Sequence, residues 1–575
     1  MLISEHTLSN ITWQAFERVV CRLLMHKGYR GVRLVGQVGD KGADIIANTE
    51  NGRWLFQVKR HRTKVGIKVV DQTLASCQIY LAKVPVIVSK SGFTDEVYKH
   101  QLTLLGRGIP LQLWDKNKLL EMARGMDDEF PTQHTPRKYQ KPAIESVTKL
   151  YLEKHTKKAL VVMATGLGKT FVIGTIIKRL NKLSPVRMLA IAHTNPLVYQ
   201  LEKSFWPFLT TSQETVVWNS YEKPGTEGLR RSNNVFACLP TVAKYLSSGN
   251  DLPDFDIILI DECHHAGASM YNKIIEETMA GTDTGPLLIG LTATPWRADN
   301  IDLVTYFGDP VVSIDIITGL KLGYLSNVDF RMYTDNINWE ALARMKGDRF
   351  SPRYINRTMF IDEWDDAVVL ELQKVWQKQA TPRAIVFCGT IDHAITMKNK
   401  INALSFANAE AIYSQKLDGT KMPPYERNRI LCDFHDGLID IVCSVNMFNE
   451  GVDIPDVNIL VFQRVTHSRR IFVQQLGRGL RISPGKDKVT VLDFVSDIRR
   501  FAAGLDLRKQ LGVARSKGTE RIVLNHNVTF NRVGGEDKES ESFLEEWLKD
   551  IAAIEDAGED TSVLTFPPTL PSDRV

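Results

Sequence analysis

The run LVVMATGLGKT, residues 160–170, constrains this 575-residue chain more than any other stretch. An apolar strand leads into a glycine-bearing loop and then a helix, which is the context a phosphate-binding loop needs. Backbone N–H groups of the loop (Thr165, Gly166, Gly168) and of the helix N-terminus can cradle phosphates. Lys169 would reach the β- and γ-phosphates, and Thr170 would place its hydroxyl on Mg²⁺.

The flanking sequence supplies a parallel sheet for that strand. ALVVMA, RMLAIA, VFACL, DIILID and LLIGLTA are short apolar runs between helical patterns from Arg137 to Leu325. A second series, AIVFC, IVCSV, ILVFQ and VTVLDF, follows between Trp364 and Phe494. The pattern predicts two sheet lobes, 137–325 and 364–500, joined by a connector over 326–363. Residues 1–125 also alternate. Helices are expected from Thr12 to Lys27, Val69 to Leu81 and Thr94 to Leu105, with strands VPVIVS and IPLQLW and a last helix KNKLLEMARGM. That is an α/β sheet domain. The polar, proline-bearing DDEFPTQHTP marks 126–136 as a linker. Residues 501–575 form a C-terminal region, acidic and partly helical, whose FLEEWLKDIAAIE is amphipathic.

With 43% hydrophobic and 24% charged residues the chain reads as a soluble globular protein. No apolar run nears the ~18 residues that span a bilayer, and the start lacks a signal-peptide pattern. Seven scattered cysteines with no CxxC pair read as reduced thiols in the cytoplasm, not as a disulfide framework or zinc site. Residues 1–125 carry 19 Lys/Arg against 10 Asp/Glu, a net +9 that suits a polyanion such as nucleic acid. Residues 536–560 carry 11 acids against 2 lysines.

Within the basic unit, DIIANTENGRWLFQVK (44–59) reads as a hairpin turning at Asn51-Gly52. Ile45 then faces Val58, Ala47 faces Phe56 and Thr49 faces Trp54 on an apolar side. The opposite side pairs Asp44 with Lys59 and Ile46 with Gln57, a carboxylate, an ammonium and an amide together. A solvated cross-strand salt bridge is the plain reading.

The loop's companions sharpen the picture. IILIDECHHA ends an apolar strand in Asp261 and Glu262, where ligands bind in open α/β sheets. Asp261 would hold Mg²⁺ and Glu262 would polarise the attacking water. His264 and His265 either couple this site to motion or cap the strand. In order, ATGLGKT, DECHH, LTATP, NEGVDIPDV and QQLGRGLR make residues 137–495 resemble a superfamily 2 helicase core, and within it DECHHAGASMY, GLTATPWRAD and QQLGRGLRISPGKDKVTVLDF resemble the cores of restriction-enzyme motor subunits and related repair helicases. The resemblance implies two RecA-like lobes closing on ATP, with nucleic acid held across both. It implies that Gln140 reads adenine, that Thr292 and Thr294 join the ATP site to the nucleic-acid track, and that Gly451 and Asp453 line the cleft. Arg478 and Arg481 would be arginine fingers, which act only when the cleft closes.

A motor beside the hairpin changes the hairpin's meaning. On the α-helix of residues 12–27, Glu17 shares a face with Trp13, Val20, Cys21 and Leu24, and a buried carboxylate needs a partner or a metal. Glu17, GDKGADIIA and FQVK together resemble Mrr-like restriction endonucleases of the PD-(D/E)XK fold over residues 10–115. Ala43 stands where the name-giving proline would be, and Gln57 replaces an acid; the Mrr-like branch has both features. The resemblance implies Asp44 and Glu17 as Mg²⁺ ligands and Asp44, Gln57, Lys59 and Glu17 as the catalytic set. KRHRTK (59–64) would lie along a phosphate backbone, or be a solvated loop.

MPPYE (422–426) is similar to the base-pocket motif of amino-methyltransferases but lacks its preceding Asp/Asn and a cofactor loop, and is read as a turn. The acidic segment around Trp547 could dock a partner protein, mimic DNA or pack on the chain's own core. The whole reads as an ATP-driven DNA translocase or helicase fused to a Mg²⁺-dependent endonuclease, suited to DNA restriction or antiphage defence. A repair helicase with a DNA-binding N-terminal domain and an RNA-dependent ATPase are the rivals.

Overall fold

The computed structural model describes residues 3–494 apart from 294–302, 333–348, 351–361, 415–420, 446–456, 464–485 and shorter breaks, and beyond them residues 520–524, 528–532 and 564–565. The expected α/β architecture is present as three sheets of five, seven and eight strands, beside a two-stranded pairing of Arg349–Phe350 with Leu564–Thr565.

The N-terminal sheet opens with helix α1 (Trp13–His26), capped by the Thr12 hydroxyl, which accepts from the Ala15 N–H. Strands β1 (Arg30–Leu34), β2 (Ile45–Thr49) and β3 (Gly52–Lys59) are antiparallel neighbours. Then α2 (Ile67–Tyr80), β4 (Val84–Ser89), α3 (Asp95–Gly106), β5 (Gln112–Trp114) and α4 (Lys116–Arg124) follow, with β3, β4 and β5 parallel. Strand β1 has no counterpart in the sequence reading, because RGVRL buries only Val32.

The hairpin register differs from expectation by two residues. Ile45 pairs with Phe56, Ile46 with Leu55, Ala47 with Trp54 and Thr49 with Gly52, so Glu50 and Asn51 form the turn. Among the turn residues the positive φ falls on Gly52 (111°), so the glycine leaves the turn instead of forming its centre. A slip of two keeps every side chain on its own face. Asp44 therefore lies across from Gln57 rather than Lys59, and Ile46 from Leu55 rather than Gln57, with the two faces unchanged. Trp13, expected on the buried stripe, is 54% exposed; Phe16 takes that place in the core with Val20, Cys21 and Leu24.

The seven-stranded sheet is the first of the two expected lobes. After α5 (Lys141–Glu153) come β6 (Lys158–Met163), α6 (Lys169–Asn181), β7 (Met188–Ala192), α7 (Asn195–Phe205), β8 (Thr215–Trp218), β9 (Asn234–Cys238), β10 (Ile257–Ile260), β11 (Leu287–Thr292) and β12 (Pro310–Ile314). Their order is β12-β6-β11-β10-β7-β9-β8, all parallel. The second lobe contributes β13 (Asn327–Met332), β14 (Ala384–Cys388), β15 (Ala409–Ile412), helix α8 (Pro424–Asp436), β16 (Ile441–Ser444), β17 (Ile459–Gln463), β18 (Lys488–Asp493), β19 (Glu520–Leu524) and β20 (Val528–Arg532). Their order is β15-β16-β14-β17-β18-β13-β20-β19. Strand β13 lies in the stretch read as a connector, yet it pairs with β18 along its whole length. MPPYE is not an isolated turn, for Pro424 opens α8.

The N-terminal domain touches both lobes. Arg18 of α1 is buried between Glu202 and Glu222 of lobe 1, with its Nε 2.7 Å from Glu202. Arg22 donates to the carbonyl of Thr210 at 2.8 Å, and Lys203 donates to that of Val32 at 2.7 Å. Trp206 of lobe 1 sits in the N-terminal domain's own core. The 126–136 stretch is fastened too: Glu129 pairs with Lys178 at 2.9 Å, and Phe130 lies edge-on to His26. On the other side, Arg53 of β3 meets Asp433 and Asp436 of α8.

Candidate active sites

The first site lies at the carboxyl edge of the lobe 1 sheet. Strand β6 ends at Met163, the loop spans 164–168, and α6 begins at Lys169. Gly166 and Gly168 have φ of 91° and 82°, and a Cβ on Gly168 would come 2.7 Å from Gln140 Nε2. Glycine is thus required at 168 by conformation and by room. Gln140 is buried; its Nε2 donates to the Leu167 carbonyl at 2.8 Å and its Oε1 accepts from the Arg137 N–H at 2.9 Å. The residue expected to read adenine is therefore seated against the loop itself.

Strand β10 delivers Asp261 and Glu262 beside that loop, with Lys169 Nζ 3.5 Å from Glu262 Oε1 and donating to the Met163 carbonyl at 3.2 Å. Burial and the neighbouring Glu262 push the Asp261 carboxyl up to about 7, against the pull of Lys169. A buried carboxyl crowded by a second carboxylate is what a divalent cation relieves, and with the Thr170 hydroxyl the pair supplies the hard oxygen donors Mg²⁺ takes. Glu262 holds φ at 45°, a left-handed conformation that costs of order 1–3 kcal/mol and clusters at functional sites. His264 is buried with Nδ1 2.7 Å from Thr292 Oγ1 and 3.6 Å from Glu262, so it joins the acidic strand end to the LTATP stretch. Thr294, Gly451, Asp453, Arg478 and Arg481 lie outside the described residues, as does the acidic segment around Trp547.

The second site is on the N-terminal sheet. Glu17 and Asp44 are buried, and they converge on Gly36: a Cβ there would lie 3.3 Å from both Glu17 Oε2 and Asp44 Oδ1. The Val58 N–H donates to Asp44 Oδ2 at 2.6 Å, which fixes that carboxylate across the hairpin. Gln57 is fully buried. Thr73 has one hydroxyl proton and lies 2.7 Å from the Val69 carbonyl and 2.5 Å from Gln57 Oε1. With its oxygen on the Thr73 hydroxyl, Gln57 sets Nε2 beside Gly42 without a partner among the described residues. Two converging carboxylates and an amide oxygen are donors that suit Mg²⁺. Lys59 ends β3 half-buried on the face of Gln57. The backbone is strained here as well, with Lys41 at φ 63°.

Lys90 was not foreseen. Parallel pairing sets Lys59 beside Ser89, and Arg60 and Arg62 join burial in lowering the Lys90 ammonium. Reading β3 and β4 as parallel neighbours would have found it. Arg18, Arg22 and Arg53, which face other domains, carried no local signal.

Three family models match the chain. Residues 8–123 match the model for a restriction endonuclease domain of the Mrr catalytic type, residues 133–297 that for the type III restriction enzyme res subunit, and residues 366–483 that for the helicase conserved C-terminal domain. The type I restriction enzyme EcoAI endonuclease subunit of Escherichia coli is 28% identical over 80% of this chain and 61% of its own length. A putative mitochondrial ATP-dependent helicase, irc3 of Schizosaccharomyces pombe, is 25% identical over 64% of this chain and 59% of its own length. The chain thus spans about three fifths of these relatives. The solved structure of the ATP-dependent type ISP restriction-modification enzyme LlaBIII bound to DNA has a TM-score of 0.49 and 16% identity, over 95% of this chain and 42% of that one. Among the described residues no helix is long and apolar enough to cross a membrane.

Proposed function

We propose that this chain, a superfamily 2 helicase core joined to an N-terminal Mrr-like restriction endonuclease domain, hydrolyses ATP to move along DNA and cuts DNA with its N-terminal domain in a Mg²⁺-dependent reaction. The observation that carries the nuclease half is the meeting of Glu17 and Asp44 at Gly36, on the sheet that also presents Gln57 and Lys59. Glu17, Asp44 and the Gln57 oxygen would hold Mg²⁺. Bound there, the ion supplies Lewis-acid polarisation of the scissile phosphate. Lys59 orients the water and balances charge on the attacked phosphate. Arg60, Arg62 and Lys90 extend a cationic track for the backbone.

In the motor, Lys169 and the loop amides bind the phosphates, Thr170 and Asp261 hold Mg²⁺, and Glu262 positions the water. Gln140 reads adenine, Gly451 and Asp453 line the cleft, and Arg478 and Arg481 stabilise transferred charge once the lobes close. The role that fits is a cytoplasmic one in DNA restriction or antiphage defence, on domains 1–125, 137–325 and 364–500 with 501–575 as an appended region.

The test is cleavage of plasmid and linear DNA with Mg²⁺, with and without ATP. Asp44→Ala should abolish cutting and keep DNA-stimulated ATPase, and Lys169→Ala should abolish ATPase. Equal cutting by wild type and Asp44→Ala would reject the assigned site. Absent cutting with intact ATPase would return the N-terminal domain to DNA binding alone, and stimulation by RNA but not DNA would reject the substrate.

A further inference from the structure

Helix α8 does more than cover the second lobe's sheet. It lies on the edge of the nuclease domain. Arg53, 6% exposed, sets Nη1 2.7 Å from Asp433, while its Nε donates to Asp436 at 3.0 Å. Asn48 donates to Asp436 at 2.7 Å, and burial of the Asp436 carboxyl is outweighed by His435, Arg53 and Asn48, which hold it down at about 2. Cys432 of α8 sits in an apolar cluster with Val35, Ala43, Ile46 and Leu55. Further along, Asn428 donates to the Val35 carbonyl at 2.8 Å, and Lys41 lies over the Tyr425 ring.

These contacts reach the cutting site through the backbone. The N–H groups of Val35 and Gly36 both donate to the Asp44 carbonyl, at 2.9 and 3.2 Å. Gly36 is the residue against which the Glu17 and Asp44 carboxylates close. A helix of the motor's second lobe therefore helps hold the segment that completes the nuclease carboxylate pair.

We propose that α8 is a latch: it holds the nuclease site assembled while engaged, and it must release for the lobes to move through the ATP cycle. The proposal rests on the ATPase and nuclease reading above. The nuclease domain is fixed to lobe 1 by the buried Arg18 cluster, by Arg22 and by Trp206, so it travels with that lobe. Lobe 2 cannot move relative to lobe 1 without parting α8 from β2 and β3. Parting is feasible because Arg53 and both aspartates regain water together, so no charge is left buried and unpaired. Stepping and cutting then alternate.

The test uses the full chain with Asn48→Cys and Asp436→Cys, bridged by a short bifunctional methanethiosulfonate. All seven native cysteines are buried, so the introduced pair is the reactive one. Bridging should form readily in the nucleotide-free protein. It should lower DNA-stimulated ATPase at least tenfold, reversibly with dithiothreitol, and leave plasmid cutting present but indifferent to ATP. Bridged protein that hydrolyses ATP at the unbridged rate, or a pair that does not bridge, overturns the latch. Asp433→Asn with Asp436→Asn should act oppositely and raise ATPase without DNA at least threefold; an unchanged or lower rate counts against the latch. If the wild type never cuts, the nuclease reading fails while the ATPase arm still decides the latch. If it never hydrolyses ATP, bridging yield decides: a non-hydrolysable ATP analogue with DNA should lower the yield severalfold, and an unchanged yield overturns the latch.

Discussion

Glycine 42 shows how tightly one residue can bind backbone to chemistry. Its φ is 91°, and a Cβ there would come 2.6 Å from Gln57 Nε2, on a side chain with no exposure. Gly42→Ala meets both penalties: a left-handed backbone for an L-residue, about 1–2 kcal/mol, and a displaced Gln57. We expect that loss of stability in urea melts, with cutting down roughly a hundredfold, as for a 1 Å misplacement of a catalytic group. ATPase should stay within a factor of about two, because the φ strain of the motor site is at Glu262, in another domain. A proportional fall in both activities would place the damage in global folding. Much of this site was legible in the sequence. Asp44, Gln57 and Lys59 share a face under any register that differs by two, so the misplaced turn at Asn51-Gly52 did no harm to the site. Gly36 and Lys90 were not legible, because each acquires its meaning from a strand neighbour distant in sequence.

Helix α1 works on more than one face. Glu17 turns to Gly36 and Asp44, Phe16, Val20 and Leu24 to the domain core, and Arg18 and Arg22 to lobe 1. A period of 3.6 residues located the apolar stripe, yet hydrophobicity cannot tell a solvated arginine from one clasped by another domain. Arg18→Met separates the two. It would leave Glu202 and Glu222 buried without their cation, costing about 3–5 kcal/mol. Burial already raises the Glu222 carboxyl while Arg18 pulls it down, so without Arg18 it rises further. The sign follows: protonation in acid relieves the buried charge, so the destabilisation should be small near pH ~5 and grow toward pH ~8. Urea titrations across that range would show it, and a pH-independent loss would mean that packing alone is at stake.

At the scale of the whole molecule the three sheets are not beads on a string. The 126–136 stretch is polar and proline-bearing, the usual signature of a linker. Nevertheless Glu129 bridges to Lys178, Phe130 packs on His26, and Asp128 accepts from the Thr211 hydroxyl at 2.7 Å. Composition describes a segment's average affinity for water, whereas these contacts depend on where lobe 1 happens to stand. The seam also completes the nuclease core, since Trp206 is 1% exposed and is clustered with Val20, Phe56 and Trp114. Fragments test this directly. Residues 1–125 alone would uncover that core surface and leave Arg18 and Arg22 without their partners. The missing Trp206 burial by itself removes roughly 1.5–3 kcal/mol. Residues 1–325 keep the whole seam. Calorimetry should therefore give 1–325 one cooperative transition, and 1–125 a lower melting temperature by several degrees, since about 1 kcal/mol shifts a domain of that size by about 4–8 °C. Two separate transitions in 1–325, with the lower one matching 1–125, would mean that nuclease and motor are stable independently. In that case motion of lobe 1 would no longer carry the cutting site with it.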